Sequence, residues 1–275
     1  MTLHTALLQG TKLLEEAGVS VPRLTAEVLL SHAIRRERVY LYAHPEEELT
    51  ELGWIHYGRY LHERIAGKPT QYITKRQEFY GREFIVGPDV LIPRPETEHL
   101  VEAAIAKIRP GDTVLDVGVG SGAIAVTLAL ETSARVFATD ISPPALRVAA
   151  TNARLLKADV TFLAADLASC IGTASLDVLV SNPPYVPQTD RPTLQREVRD
   201  HEPHIALFAG PSGLDVYERL IDQARTVLRP GGWLLLELGY NSLSSVRELL
   251  STDWQSVDVH CDLAGIPRVI EARRQ

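Results

Sequence analysis

From about residue 93 onward the chain alternates short apolar runs with amphipathic ones, and no other feature narrows the choice of fold as much. Thr113–Val117, Arg135–Thr139, Val160–Ala164, Leu176–Val180 and Trp233–Leu238 have the length and composition of strands. Helical stretches fall between them, from about Ala123 to Leu130, over Pro143–Leu156, and over Leu214–Leu228, which Arg229-Pro230-Gly231 ends. A further helix is expected over Ser242–Leu250, and last strands over Ser256–His260 and Arg268–Ala272. Strands separated by crossover helices pair in parallel. The expectation is an α/β fold, a Rossmann-like parallel sheet with helices on both faces.

The segment before this reads differently. In residues 1–68, Ala6-Leu7-Leu8, Leu13-Leu14 and Ala17 recur at helical spacing, and Gly18 can close that helix. Pro22 can open a second helix carrying Ala26, Val28, Leu29, Leu30 and Ala33, and Glu46 to Ala66 reads as more helix. Glu46-Glu47-Glu48 is expected to be a solvated helix start, where carboxylates suit the helix dipole. Residues 69–92 contain Gln77 to Val86, rich in aromatic residues and punctuated by Gly81, which predicts a β-hairpin linker. The expected organisation is therefore a small N-terminal helical bundle over 1–68, a hairpin linker over 69–92 and an α/β domain over 93–275.

Composition removes several classes of function. The formal net charge of −7 disfavours tight non-specific nucleic-acid binding, because phosphate neutralisation needs a basic surface. No run reaches the roughly 18 apolar residues of a membrane span, and Met1-Thr2-Leu3-His4 does not begin a signal peptide. Cys170 and Cys261 are the two cysteines, with no CxxC or Cys/His cluster, so neither a disulfide framework nor a metal site is expected. The default localisation is cytoplasmic.

Three acidic positions and a glycine loop lie at expected strand ends. Asp116-Val117-Gly118-Val119-Gly120-Ser121-Gly122 joins the first strand of the α/β domain to its helix. Glycines there let a ligand approach the backbone, and the helix start offers free N–H groups. The GxGxG spacing lacks the third glycine placement of the dinucleotide fingerprint. Asp116 suits an ammonium group better than a phosphate. Asp140 ends the next strand about twenty residues later, where a carboxylate can take two hydrogen bonds from a ribose diol. Asp166-Leu167 follows the third strand, where a carboxylate and a backbone N–H could read an adenine edge. A diol reader and an ammonium reader without a phosphate clamp point to a nucleoside carrying an amino acid, which is S-adenosylmethionine.

The fourth strand stops at Asn182-Pro183-Pro184-Tyr185. Neither proline donates a backbone N–H, so the loop is stiff and its acceptors are not absorbed into helix or sheet. An amide side chain, a free carbonyl and an aromatic face suit a planar NH2 group receiving a methyl.

Together these residues resemble class I methyltransferases that modify planar nitrogens. Val90-Leu91-Ile92-Pro93-Arg94-Pro95-Glu96-Thr97-Glu98, Glu78-Phe79-Tyr80-Gly81, Glu202-Pro203, Ala206-Leu207 and Gly213-Leu214 narrow the resemblance to the PrmC/HemK family. The specific motifs cover about residues 69 to 240; over the N-terminal helices the likeness is one of length and pattern. The resemblance implies S-adenosylmethionine as cofactor and methylation of the glutamine amide in the Gly-Gly-Gln motif of class I peptide chain release factors. It implies that Gly118, Val119, Gly120, Ser121 and Gly122 wrap the methionine part of the cofactor, that Asp140 binds the ribose and that Leu167 borders the adenine. Asn182 and the Pro183 carbonyl would accept the glutamine NH2 protons, beside Pro184, with Tyr185 packed on the amide plane. Many relatives have an aromatic residue where Leu167 stands, which removes a stacking role at that position. The helical N-terminal domain would recognise the protein substrate.

Two other functions use parts of the same pattern. An adenine-N6 methyltransferase acting on DNA or RNA needs the same NH2 clamp, but also a basic channel. An NAD(P)-dependent oxidoreductase uses the same sheet, but GxGxG with Asp116 and Asn182-Pro183-Pro184-Tyr185 speak against it.

Overall fold

The computed structural model describes residues 1–250 and 253–275. Its elements are α1 (Leu3–Glu16), α2 (Pro22–Ile34), α3 (Arg38–Ala43), α4 (Glu51–Ile65) and α5 (Thr70–Thr74), then the hairpin β1 (Arg76–Phe79) and β2 (Arg82–Ile85). The α/β part follows with α6 (Glu98–Lys107), β3 (Thr113–Val117), α7 (Ala123–Glu131), β4 (Arg135–Asp140), α8 (Pro143–Leu156), β5 (Val160–Ala164) and β6 (Leu176–Ser181). It closes with α9 (Arg196–His201), α10 (Asp215–Val227), β7 (Leu228–Glu237), α11 (Leu243–Leu249), β8 (Trp254–Cys261) and β9 (Pro267–Arg274).

The chain divides into two compact units: residues 1–76 with 195–201, and residues 77–194 with 202–275. The first holds α1 to α5 together with α9. Thr2 caps α1 by accepting from the Thr5 N–H at 3.2 Å, and Thr50 caps α4 by accepting from Gly53 at 3.1 Å. Helix therefore starts at Glu51, and Glu46-Glu47-Glu48 lies in a turn and bridge before the cap rather than at a helix start. Leu3, Leu7, Leu14, Leu29, Leu30 and Tyr57 form the core of the bundle. Gly10 makes that packing possible, since a Cβ there would stand 1.9 Å from the Tyr57 hydroxyl. Within the same unit Arg64 pairs with Glu197 of α9 at 2.5 Å.

In the second unit seven strands among the described residues form one sheet in the order β5-β4-β3-β6-β7-β9-β8. The pairs from β5 to β7 are parallel, whereas β9 pairs antiparallel with both β7 and β8. The parallel sheet expected from sequence thus carries one antiparallel strand, β9. No helix separates β8 from β9, so they form a hairpin. Its turn is held by Asp262, whose Oδ1 accepts from the Ala264 and Ile266 N–H groups at 2.9 and 3.0 Å.

Side chains alternate between two cores. Val114, Val136, Val178 and Val180 pack with α6 and α7, and Leu115, Leu179, Leu234 and Leu236 pack with α10 and α11. The hairpin is not a free linker. Phe79 and Phe84 are buried in the first of these cores, edge to face with ring centroids 6.1 Å apart.

The register decides which residues meet. Val117 lies opposite Thr139 and Ser181, and Ser181 lies opposite Leu236. The next residue of each strand or loop, namely Gly118, Asp140, Asn182 and Glu237, therefore falls in one row along the carboxyl edge. That edge is where open α/β sheets bind ligands.

Candidate active site

A cavity of about 300 Å³ opens along this edge, with Gly118, Gly120, Asp140, Asp166, Leu167 and Asn182 in its wall. The glycine loop is shaped by β4. The Thr139 carbonyl accepts from Gly118 and Val119, both at 2.9 Å, and Asp140 Oδ2 accepts from the Gly120 N–H at 3.0 Å. Asp140 Oδ1 accepts from Ser142 at 2.8 Å, so both carboxylate oxygens are fixed by backbone. The helix that follows is capped by Ser142, which accepts from Ala145 at 3.3 Å, and not by Asp140.

Gly118 and Gly120 have φ of 78° and 51°, and Cβ atoms there would enter open space. Gly122 serves packing instead, since its Cβ would come within 3.2 Å of Ala149. The structure thus offers a backbone cradle backed by a fixed carboxylate, which fits the amino-acid and ribose portions of S-adenosylmethionine. When bound, that cofactor supplies an electrophilic methyl group on a sulfonium.

The other expected cofactor residues divide. Asp166 reaches the cavity, but its Oδ2 also accepts from Arg219 Nη2 at 2.5 Å. Leu167 reaches it with φ of 54°, a left-handed backbone uncommon for a residue with a side chain. Val119, Ser121 and Gly122 are buried in the loop outside the cavity wall. Asp116 is fully buried beneath the loop, where its Oδ2 accepts from the Ala125 N–H at 3.1 Å and its Oδ1 has no hydrogen-bond partner. Burial pushes the Asp116 carboxyl up to about 7. Its side chain holds the start of α7 and is absent from the cavity wall, unlike the ammonium-facing position expected for it.

Asn182 and Pro184 line the cavity, whereas Pro183 is buried. Tyr185 is partly buried, which pushes its hydroxyl up to about 12. Its ring lies over Gly239, where a Cβ would stand 2.6 Å from Cδ2. The Asn182 side-chain nitrogen donates to the Thr97 hydroxyl at 3.2 Å. Glu237, in the same row at the end of β7, is 3% exposed, its Oε2 is buried without a hydrogen-bond partner, and burial raises its carboxyl to about 7.

The motif Arg94 to Glu98 becomes intelligible here. Arg94 pairs with Glu202 at 2.6 Å, Glu96 lies 3.7 Å from Arg268, Thr97 meets Asn182, and Glu98 Oε1 accepts from the Tyr80 N–H at 2.8 Å. Sequence reasoning missed Glu237 and Asn152. Glu237 carries a visible signal, a carboxylate at the end of an apolar strand. The Asn152 amide donates to the Ile85 and Ser121 carbonyls at 2.9 and 2.8 Å, and its Oδ1 accepts from the Ile85 N–H at 2.8 Å.

The sheet order, the glycine cradle and Asn182 define an S-adenosylmethionine-dependent class I methyltransferase. The sequence matches the PrmC N-terminal domain over residues 5–74 and the methyltransferase small domain over residues 96–200. It is 47% identical over 279 residues to the release factor glutamine methyltransferase of Koribacter versatilis, covering 100% of this chain and 99% of that one. The Moorella thermoacetica enzyme of the same name is 44% identical over 282 residues, with coverage of 100% and 99%. Among solved structures, the Thermus thermophilus 16S rRNA methyltransferase RsmC, in complex with AdoMet and guanosine, superimposes with a TM-score of 0.52. It is 20% identical and covers 73% of this chain and 50% of that one, a likeness of fold. The chain belongs to the PrmC/HemK family of release factor glutamine methyltransferases. Among the described residues no helix is long and apolar enough to cross a membrane.

Proposed function

We propose that this enzyme transfers a methyl group from S-adenosylmethionine to the side-chain amide nitrogen of the glutamine in the Gly-Gly-Gln motif of class I peptide chain release factors, in the cytoplasm. One observation carries most of the assignment: Asn182 stands in the wall of the cavity with its nitrogen committed to Thr97, so its oxygen is the atom available to a substrate N–H. The release factor names of full-length relatives supply the substrate class.

In this reading Asp140 and the Gly118–Gly122 loop hold the cofactor, with Asp166 and Leu167 at its adenine. Asp116 supports that loop from below. Asn182 Oδ1 and the Pro183 carbonyl take the two N–H bonds of the substrate amide, and Pro184 and Tyr185 wall its plane. An amide nitrogen is a poor nucleophile because its lone pair is delocalised. Fixing both N–H bonds aims the lone pair, and such alignment is worth about 7–11 kcal/mol. Positive charge grows on the NH2 group as it reacts, so neutral acceptors already aimed at it favour the transition state over the ground state. The N-terminal helical unit recognises the protein substrate and supplies no reacting group.

Mass spectrometry of a release factor incubated with enzyme and S-adenosylmethionine tests the assignment, with an oligonucleotide and tRNA as parallel substrates. One methyl on the Gly-Gly-Gln glutamine is expected. A methyl on adenine, or on another residue of the factor, would exclude it.

A further inference from the structure

We propose that Arg219 and Gln223, one turn apart on α10, are positioning residues that set the Asp166-Leu167-Ala168 turn as an adenine reader, and that preference for adenine over a 6-oxopurine depends on them. The proposal rests on the reading above that Asp166 and Leu167 stand at the cofactor's base.

The turn does not hold itself. The chain reverses over residues 166–169, closed by the Ser169 N–H, which donates to the Asp166 carbonyl at 3.2 Å. Leu167 takes the first central position with φ of 54°. A positive φ there favours glycine, asparagine or aspartate, so a leucine needs support from outside the turn. The support comes from α10 and reaches both neighbours of Leu167. Arg219 Nη2 donates to Asp166 Oδ2 at 2.5 Å, and Gln223 Oε1 accepts from the Ala168 N–H at 2.7 Å. Residues four apart share one face of a helix. Val216, one turn before Arg219, lines the cavity beside it. The helix is a fixed base, since Tyr217, Leu220, Ile221 and Ala224 are buried in the core.

These contacts decide which atoms are left for a ligand. Arg219 takes one oxygen of the Asp166 carboxylate and leaves Oδ1 as an acceptor at the cavity wall. The bonds to Gln223 and within the turn use the Ala168 and Ser169 N–H groups, and neither uses that of Leu167. An acceptor and a donor on successive residues complement one edge of adenine, where the N6 amino group donates and the adjacent ring nitrogen accepts. A 6-oxopurine presents the reverse, an accepting O6 beside a protonated N1. Without Arg219 the Asp166 carboxylate rotates freely. Without Gln223 the turn relaxes toward the negative φ that leucine prefers, and the Leu167 N–H is redirected. The Asp166 and Arg219 side chains are 47% and 52% exposed, so their pair adds little to stability, and its effect lies in orientation.

Isothermal calorimetry on the full-length protein tests this with two probes, S-adenosylhomocysteine and S-inosylhomocysteine, which differ at this edge of the purine. The wild type should bind the adenine probe at least about 100-fold more tightly, the scale of two mismatched hydrogen bonds. Arg219→Ala and Gln223→Leu should each weaken the adenine probe about tenfold and the inosine probe less than about threefold. Arg219→Lys, which keeps a cationic donor, and Gln223→Glu, which keeps the acceptor, should recover most of the wild-type ratio. A general loss of packing would weaken both probes alike. A wild-type ratio in Arg219→Ala or Gln223→Leu, parallel losses for the two probes, or equal defects in the conservative and truncated variants would overturn the proposal. A wild type that binds both probes equally would remove the adenine reading itself, and the proposal with it. The measurement uses no methyl acceptor, so a wild type that failed to methylate the release factor would sink the substrate assignment alone.

Discussion

The Asn152 side chain pairs with both backbone polar groups of Ile85, accepting its N–H at 2.8 Å and donating to its carbonyl at 2.9 Å, as a neighbouring strand would. The same amide nitrogen donates to Ser121 in the glycine loop. One buried side chain on α8 thus fastens the hairpin to the glycine loop. Asn152→Ala should lower unfolding stability by about 3 kcal/mol through the orphaned backbone groups. It should also weaken S-adenosylhomocysteine binding, and denaturant melts with calorimetry would read both effects. A loss of stability with unchanged affinity would show that the loop keeps its shape without this tie.

Asp140 should dominate cofactor affinity. Its carboxylate both faces the cavity and holds Gly120. Asp140→Ala is expected to weaken S-adenosylhomocysteine binding at least about tenfold, one charge-assisted hydrogen bond or more. Isothermal calorimetry giving the wild-type affinity would remove Asp140 from the site.

Gly239 gives room to Tyr185. In Gly239→Ala the added methyl would overlap the ring, so the ring or the strand end must move. The expected result is a stability loss of about 1–3 kcal/mol together with a fall in kcat. Thermal melts and single-turnover methylation would measure the two effects. Wild-type values for both would mean that the ring has free space to shift.

Asp116 makes stability depend on pH in a defined direction. Its carboxyl is raised to about 7 in the folded chain, above the unfolded value, so the folded state binds more protons between the two values. Stability from this group is therefore greatest below about 4 and falls as pH rises through about 7. Asp116→Asn should melt increasingly above the wild type as pH is taken from about 5 to about 8. A melting difference independent of pH would show that the native carboxyl titrates normally.

The N-terminal unit exposes Leu52 and Ile55, one turn apart on α4, at 64% and 57%. If this unit binds the release factor through that face, Leu52→Asp with Ile55→Asp should raise KM for the factor about tenfold and leave cofactor affinity alone. Kinetics with intact factor, set against a short Gly-Gly-Gln peptide, would reveal a selective loss. Equal behaviour toward factor and peptide would place recognition elsewhere.

The amphipathic helices were legible because each buries one face, and the central strands because they read as short apolar runs, buried on both faces. The strand-end positions of Asp140 and Asn182 followed from those runs. Sequence could not show that Asp116 turns under the loop, since a fully buried carboxylate runs against the usual burial of charge. Nor could it pair Arg94 with Glu202 or Thr97 with Asn182, contacts made across 108 and 85 residues of chain. The direction of β9 depends on a turn that Asp262 closes. Asn152 gave no signal, because an asparagine inside an amphipathic helix reads as a solvated residue.

Residues 195–201 are grouped with the helical bundle, although the chain on either side of them is grouped with the α/β unit. No single cut can therefore separate the two units. A fragment beginning at Gln77 would still carry Glu197 without Arg64, a charge stripped of its 2.5 Å partner. Exchange of N-terminal bundles between relatives would have to carry this second stretch along, so the two units are inherited as one interleaved block of sequence.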